Sequence, residues 1–264
     1  MSEATRGRFT FSAGPHGPGA IEVARVKGSE GISRLSSFDV DLVVHRADGA
    51  PLGRILGGRA RLSFPGDQGR TISGVVARVE ARAPVDDREA CRIRLVPALW
   101  LLRRRRNSRI FQHQSAPEIV RAVLAEHDVA QTWKVQRAYP AREYCVQYRE
   151  TDLDFVTRLL AEEGIFYFIA DPPAGDDAST ETVVFGDTVS AHAPIAGDPR
   201  LVLRSAGALL RDEQITELSL EDRVRSAATV HRAFDFKRPR LDLRGEAVVE
   251  GGASAGHGLS LIHI

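Results

Sequence analysis

Only two cysteines occur in the 264 residues, Cys91 and Cys145. Two thiols in a chain of this size make no disulfide framework. Neither has a second cysteine or a histidine at ligand spacing, so no thiolate metal centre is implied. Net charge is also lacking: 36 Lys and Arg face 35 Asp and Glu, which leaves +1. That balance provides no global attraction to nucleic acid or to an anionic membrane. No apolar run approaches the roughly 20 residues that span a bilayer. The polar start, Met1 to Arg8, has no apolar stretch of the kind a conventional signal peptide carries. The chain is therefore expected to be made in the cytoplasm and to leave, if it leaves, by a route that reads no signal peptide. What remains, 43% hydrophobic and 27% charged, is an ordinary globular composition able to bury a core.

Catalytic signatures are scarce as well. There is no HExxH, no GxSxG, no GxGxxG and no Walker loop. The histidines (16, 45, 113, 127, 192, 231, 257 and 263) are scattered, without a helical pair and a third ligand. The expectation is an assembly domain with no catalytic residue, no cofactor and no metal. Two clusters still invite chemistry. Arg103 to Arg106, with Arg109, is the densest charge run. It reads either as a phosphate patch or as a solvated loop or an intersubunit salt-bridge site. No interleaved aromatics support base stacking. Asp152, Asp154, Glu162 and Glu163 could supply paired carboxylates for hydrolysis. The aspartates also suit a helix N-terminus, where the macrodipole favours acid, and the glutamates suit the solvent side of the same helix's end.

Along the chain, residues 8 to 100 read as all β. Phe38 to Val44, Ala60 to Phe64 and Cys91 to Val96 alternate with period 2, and Thr71 to Ala81 makes a longer strand. Turn signals stand at Asp48-Gly49, Pro65-Gly66, Pro84 with Asp86-Asp87, and Pro97. Short strands so punctuated predict an antiparallel barrel or sandwich. The period then changes to 3.6. Ser115-Ala-Pro-Glu118 is a capping box opening a helix over 115–127, with Ile119, Val120, Val123 and Leu124 as its apolar stripe. Tyr144 to Tyr148 reads as a strand. Thr151 opens a second helix, to residue 163, that buries Leu153, Val156, Leu159 and Leu160. Gly164 ends it, and Ile165 to Ile169 returns as a strand. Asp171 to Thr180 is a loop, and 182–185 a short strand.

Strand patterning resumes near Gln214, with Ile215, Leu218 and Leu220, then 228–231, 241–243 and 247–249. It predicts the start of another β-domain with little room to finish. Gly251 to Gly258 is a low-complexity stretch. The last six residues, Leu-Ser-Leu-Ile-His-Ile, equal the in-frame translation of the shotgun-library transposase adapter CTGTCTCTTATACACATC. They are expected to be adapter read-through and are set aside from fold reasoning; the gene is expected to continue beyond them.

Two segments, Leu99 to Gln112 (LWLLRRRRNSRIFQ) and Arg142 to Phe168 (REYCVQYRETDLDFVTRLLAEEGIFYF), closely resemble the valine-glycine repeat (VgrG) spike proteins of type VI secretion. The motif residues within them are Arg109, Phe111, Gln147, Tyr148, Glu150, Thr151, Asp152, Phe155, Leu159, Glu163 and Gly164. Gly31-Ile32-Ser33 and Phe38-Asp39-Val40 match an early pattern of that family, and Asp235 to Pro239 a later one; Asp235 and Pro239 join the motif set. The resemblance runs from about residue 9 to about 250. It implies a mainly β fold with a helical insertion (α+β), built on the phage-hub pattern of antiparallel β-barrels, the second one incomplete here. The implied divisions are a first barrel (1–100), a helix-containing insertion (101–170), a connecting loop and strand (171–211) and the start of a second barrel (212–258), with 259–264 non-native. It also implies a homotrimer that sits on a hexameric tube protein, contacts baseplate proteins and carries tip-capping and effector proteins through further C-terminal parts. Such a protein is exported by the type VI apparatus. A prophage tail hub, or a hub-associated cell-wall hydrolase, is the alternative.

Overall fold

The computed structural model describes residues 9–14, 16–44, 52–64, 70–85, 88–172, 180–193, 203, 215–221, 228–248 and 259–263. The turns expected at Asp48-Gly49, Pro65-Gly66 and Asp86-Asp87, most of the 171–180 loop, and the stretch 251–258 lie outside the described residues. The chain divides into two compact units, residues 1–193 and 194–264.

Six strands of the first unit close into a barrel: β1 (Thr10–Ala13), β2 (His16–Ser29), β3 (Ser37–Val44), β4 (Arg59–Ser63), β5 (Thr71–Val85) and β6 (Arg88–Val96). Their order is β1-β2-β3-β6-β5-β4, every pairing is antiparallel, and β1 pairs with β4 to complete the ring. Closure leaves the sheet no free edge. Period 2 decides the sides: on β3, Phe38, Val40, Leu42 and Val44 are buried with Phe11, Leu62, Val76, Ile93 and Leu95, while Asp39 and Asp41 point out. Gly74 lets β5 approach β6, since a Cβ there would lie 2.4 Å from the Val96 carbonyl oxygen.

A 3-10 helix, Ala98–Arg104, leads out of the barrel into the insertion. There β7 (Arg106–Phe111) pairs with β9 (Cys145–Thr151) as a two-stranded ribbon. Between them lie α1 (Ala116–Ala125) and β8 (Gln131–Lys134); after them come α2 (Asp152–Glu163), β10 (Phe166–Ala170) and β11 (Thr182–Gly186). β11 joins β10 antiparallel and β8 parallel. Glu118 accepts hydrogen bonds from the amide and hydroxyl of Ser115, which starts α1. Thr151 Oγ1 accepts from the amide of Asp154 at 3.1 Å, which starts α2, and Gly164 ends it at φ 66°. The stripes Ile119, Val120, Val123, Leu124 and Leu153, Val156, Leu159, Leu160 face each other in one core with Leu99, Leu102, Phe155 and Phe185. At 25 cal/mol per Å² or so, such clusters are the main stabilising term.

One buried carboxylate ties this part to the barrel. Glu181, 4% exposed, accepts from the amide of Ala98 (2.7 Å), from Ser73 Oγ (2.8 Å) and from Arg59 (3.2 Å). The Glu181 amide donates back to Ser73 Oγ at 2.6 Å.

In the second unit β12 (Ala228–Ala233) lies between β13 (Leu243–Val248), antiparallel, and β14 (Leu259–His263), parallel. The fold is thus mainly β with a helical insertion, as expected, but several elements differ. β5 runs on through Pro84, which was expected to break it. The ladder shifts between Arg82 and Val85, so the missing proline N–H interrupts no bond there. Residues 215–220 form no strand: Ile215 makes a single bridge to Leu203, and Leu218 and Leu220 are exposed. Residues 241–243 and 247–249, expected as two strands, contribute to one, β13; Leu241 belongs instead to the preceding turn, where its amide bonds the Arg238 carbonyl. Residues 259–263, set aside from fold reasoning, supply β14. Strands β1, β2, β7 and β8 are additional to those read from the pattern.

Candidate functional site

Where the ribbon meets α2, the chain buries a charge. The register of β7 and β9 sets Arg109 opposite Gln147. Because β9 ends in the cap residue Thr151, Asp152 is the first residue of α2, and its amide bonds the Arg105 carbonyl at 3.0 Å. Its side chain is driven beneath the ribbon. Asp152 and Gln147 are both fully buried.

The Asp152 carboxylate has four donors around it. Oδ1 accepts from Gln147 Nε2 (2.8 Å) and Arg109 Nη2 (3.2 Å). Oδ2 accepts from Arg105 Nε and lies 2.9 Å from His127 Nε2. Arg109 Nε also donates to Gln147 Oε1 (2.8 Å), and its Nη1 to Glu126 Oε1 (2.6 Å). Arg105 reaches the same Glu126 through Nη2. Two carboxylates and two guanidiniums thus neutralise each other across the end of α1, the ribbon and the start of α2.

Burial would raise the pKa of Asp152. Hydrogen bonds from Gln147, His127 and Arg105, with the charge of Arg109, more than offset that and hold it below the usual carboxylate range. Glu126 is likewise lowered by Arg105 and Arg109 against its desolvation. An acid kept ionised, enclosed and fully engaged is poorly suited to donate a proton or attack a substrate. It is well suited to fix one mutual orientation of the elements that surround it.

The other motif residues surround this joint. Phe111 stacks on Phe155 with centroids 5.5 Å apart, and Arg109 lies over the Phe111 ring. Leu159 is fully buried. Glu150 accepts from Arg158 at 2.6 Å, Glu163 from Arg142 at 2.5 Å, and Glu162 from both arginines. Tyr148 is turned outward, 66% exposed, with Arg149 over its ring. Asp235 and Pro239 belong to the second unit, away from this constellation in the chain. There Asp235 Oδ1 accepts the amides of Lys237 (2.8 Å) and Arg238 (3.2 Å) in an Asx turn, and Pro239 is exposed.

The arginine run, expected to be a solvated loop, a phosphate patch or an intersubunit site, is divided where the 3-10 helix passes into β7. Arg105 and Arg109 fold inward onto Asp152, while Arg103, Arg104 and Arg106 are exposed. Arg105, Glu126 and His127 were not among the motif residues. Only the tertiary meeting of α1's end with the ribbon marks them. Among the described residues no group of three or more His, Cys, Asp or Glu is placed to hold a metal, and no helix is long and apolar enough to cross a membrane.

Residues 29–260 match the family described as phage tail baseplate hub (GPD). The chain is 37% identical over 224 residues to the type VI secretion system spike protein VgrG4b of Pseudomonas aeruginosa, which covers 84% of this chain and 27% of that protein. It is 33% identical over 254 residues to VgrG1c of the same organism, covering 90% of this chain and 33% of that one. The chain therefore spans about a third or less of the length of these relatives. Among solved structures, it is similar to the Escherichia coli c3393 protein, described as a type VI secretion component with structural similarity to the T4 bacteriophage tail proteins gp27 and gp5. There the TM-score is 0.57 at 27% identity, over 64% of this chain and 49% of that one.

Proposed function

The chain belongs to the phage tail baseplate hub family, and from that premise we propose that it is the hub portion of a type VI secretion spike, a structural part that works by assembling. The observation that carries this reading is the joint around Asp152. Three of the four acidic groups that could have served hydrolysis are instead paired with arginines of the same chain, Asp152 with Arg105 and Arg109, and Glu162 and Glu163 with Arg142, while Asp154 engages the Thr151 cap. That is the chemistry of a rigid component. The motif residues Arg109, Gln147 and Asp152, with Phe111 and Phe155, serve to hold the insertion in one orientation against its neighbours.

In this reading residues 1–100 are the first hub barrel, 101–170 the insertion, 171–211 the connection and 212–258 the start of a second barrel. Three chains then present six barrels, and a pseudo-sixfold ring lets a threefold spike sit on a hexameric tube. Tip-capping proteins and effectors ride on parts C-terminal to the hub, baseplate proteins contact it from outside, and the assembly is exported by the type VI apparatus.

The test is the mass and binding of the full-length protein. Light scattering should give three times the chain mass, and the protein should capture its hexameric tube protein from solution. A monomer that ignores the tube would reject the proposal. The purified protein should also leave peptidoglycan, peptides, esters and nucleic acid intact; turnover abolished by Asp154→Asn would make it an enzyme instead.

A further inference from the structure

A pocket of about 500 Å³ opens where the turn between β2 and β3 meets the insertion. The turn is fixed there by Ser33, whose amide donates to the Tyr167 carbonyl at 2.7 Å while its own φ is 55°. A serine in the left-handed region is strained and stays there only because its surroundings hold it. That conformation sets the next residue, Arg34, at the pocket wall.

The charges in the wall do not balance. Arg94 is satisfied by Asp39, and the Asp154 carboxylate accepts from the Thr151 hydroxyl at 2.6 Å. Arg34 and Arg103 have no carboxylate partner among the described residues. Two hydroxyls in the lining are also unengaged. Ser36 is 6% exposed and Tyr167 4% exposed, and the side chain of neither makes a hydrogen bond among the described residues. Among the described residues the one buried side-chain polar atom without a partner is Gln114 Oε1, so the hydroxyls of these two lining residues are open to solvent and available to a ligand. Trp100 adds a flat apolar wall beside them.

Arg34 and Arg103 outnumber the one carboxylate of the lining, Asp154, and the hydroxyls of Ser36 and Tyr167 can donate beside them, so the space favours an anion with several acceptor lone pairs. A bare inorganic anion would leave the Trp100 side and most of the volume unfilled. We propose that this pocket is a docking site for a peptide segment that presents a carboxylate side chain to Arg34, Arg103, Ser36 and Tyr167 and an adjacent apolar side chain to Trp100. The mixture of a few convergent polar groups with an apolar wall is the usual make-up of a selective site. Because the attraction includes exposed charge, it weakens as salt rises.

A fluorescein-labelled peptide carrying glutamates beside a leucine, titrated into the 264-residue chain and followed by anisotropy, tests this. Saturable binding is expected. It should weaken about tenfold with Arg34→Gln or Arg103→Gln and several-fold with Tyr167→Phe or Ser36→Ala, variants that keep the shape of the wall. The same peptide with glutamine for glutamate should bind at least about tenfold more weakly. Arg106→Gln, an exposed arginine outside the pocket, should change nothing. No saturable binding, equal binding of the glutamine peptide, or an equal loss with Arg106→Gln would each overturn the proposal. Displacement of the peptide by inorganic phosphate at the peptide's own concentration would also overturn it, since the pocket would then be a simple anion site.

Discussion

The barrel and the insertion of the first unit solve one problem in two ways. On the barrel, Asp39 and Asp41 of β3 stand opposite Arg94 and Arg92 of β6, and each pair closes as a two-pronged fork, 2.6–3.0 Å in length, on the outer surface. In the insertion, a fully buried Asp152 meets Arg105 and Arg109, whose side chains stay 36% and 20% exposed. The chemistry is shared, but the solvent is not. An exposed pair is screened and contributes about 0–1 kcal/mol. Asp152 has already lost its hydration, so removing the arginines strands its charge and costs about 3–5 kcal/mol. The barrel's ion pairs can therefore be lost with little effect, whereas the insertion depends on its own.

Replacing Arg105 and Arg109 together by Gln, which strands the buried Asp152 charge, should show the largest effect, a loss of about 3–5 kcal/mol in denaturant unfolding. Asp152→Asn, which leaves both arginines part-exposed and paired with Glu126, should cost about 1–3 kcal/mol. It should also change the acid response. The folded pKa of Asp152 is depressed, so its stabilisation is present above the ordinary carboxylate value of about 4 and is lost as pH falls through the folded value. The gap between wild type and Asp152→Asn should narrow as pH drops below about 4. A gap that stays constant down to about pH 2 would mean that the charge is not what holds the joint.

Next in size after the double replacement, Leu159→Ala should cost about 2–5 kcal/mol, because the side chain is fully buried between α1 and α2. A cost below about 1 kcal/mol would mean that the helix core collapses around the gap. Thr151→Ala should cost about 1 kcal/mol through the lost cap on the Asp154 amide. Its effect should be sub-additive with Asp152→Asn, since both act at one helix start. Smallest is Asp39→Asn on the barrel, at about 0.2–1 kcal/mol and reduced further by salt. If Asp39→Asn proved as costly as Asp152→Asn, the distinction between the two regions would fail.

How much of this was open to reading depends on the kind of interaction. The alternation of Phe38 to Val44 assigned inside and outside correctly, because a strand's two faces are set by the chain itself. The stripes of α1 and α2, the Thr151 cap and the Gly164 terminus were readable for the same local reason. β5 was read too short because a proline's harm depends on whether its missing N–H faced a partner, and that partner is distant in sequence. The pattern at 215–220 was read as a strand, yet alternation is only a capacity to pair, and no ladder forms there among the described residues.

The motif Gln147 to Gly164 was conspicuous, and its helix start was assigned to the macrodipole, which accounts for Asp154 in the first turn but not for a fully buried Asp152. Nothing in the run Arg103 to Arg106 marks Arg105 as the one that turns inward, and nothing near His127 marks it as a neighbour of residue 152. Sequence alone determined the mainly β class, the two amphipathic helices and their caps, because these rest on periodicities and hydrogen bonds spanning four residues or fewer. Tertiary structure decided barrel closure, the Glu181 tie and the partners of every buried charge. Those depend on which distant segments meet in space, and desolvation, which sets what a charge contributes, exists only once they have met.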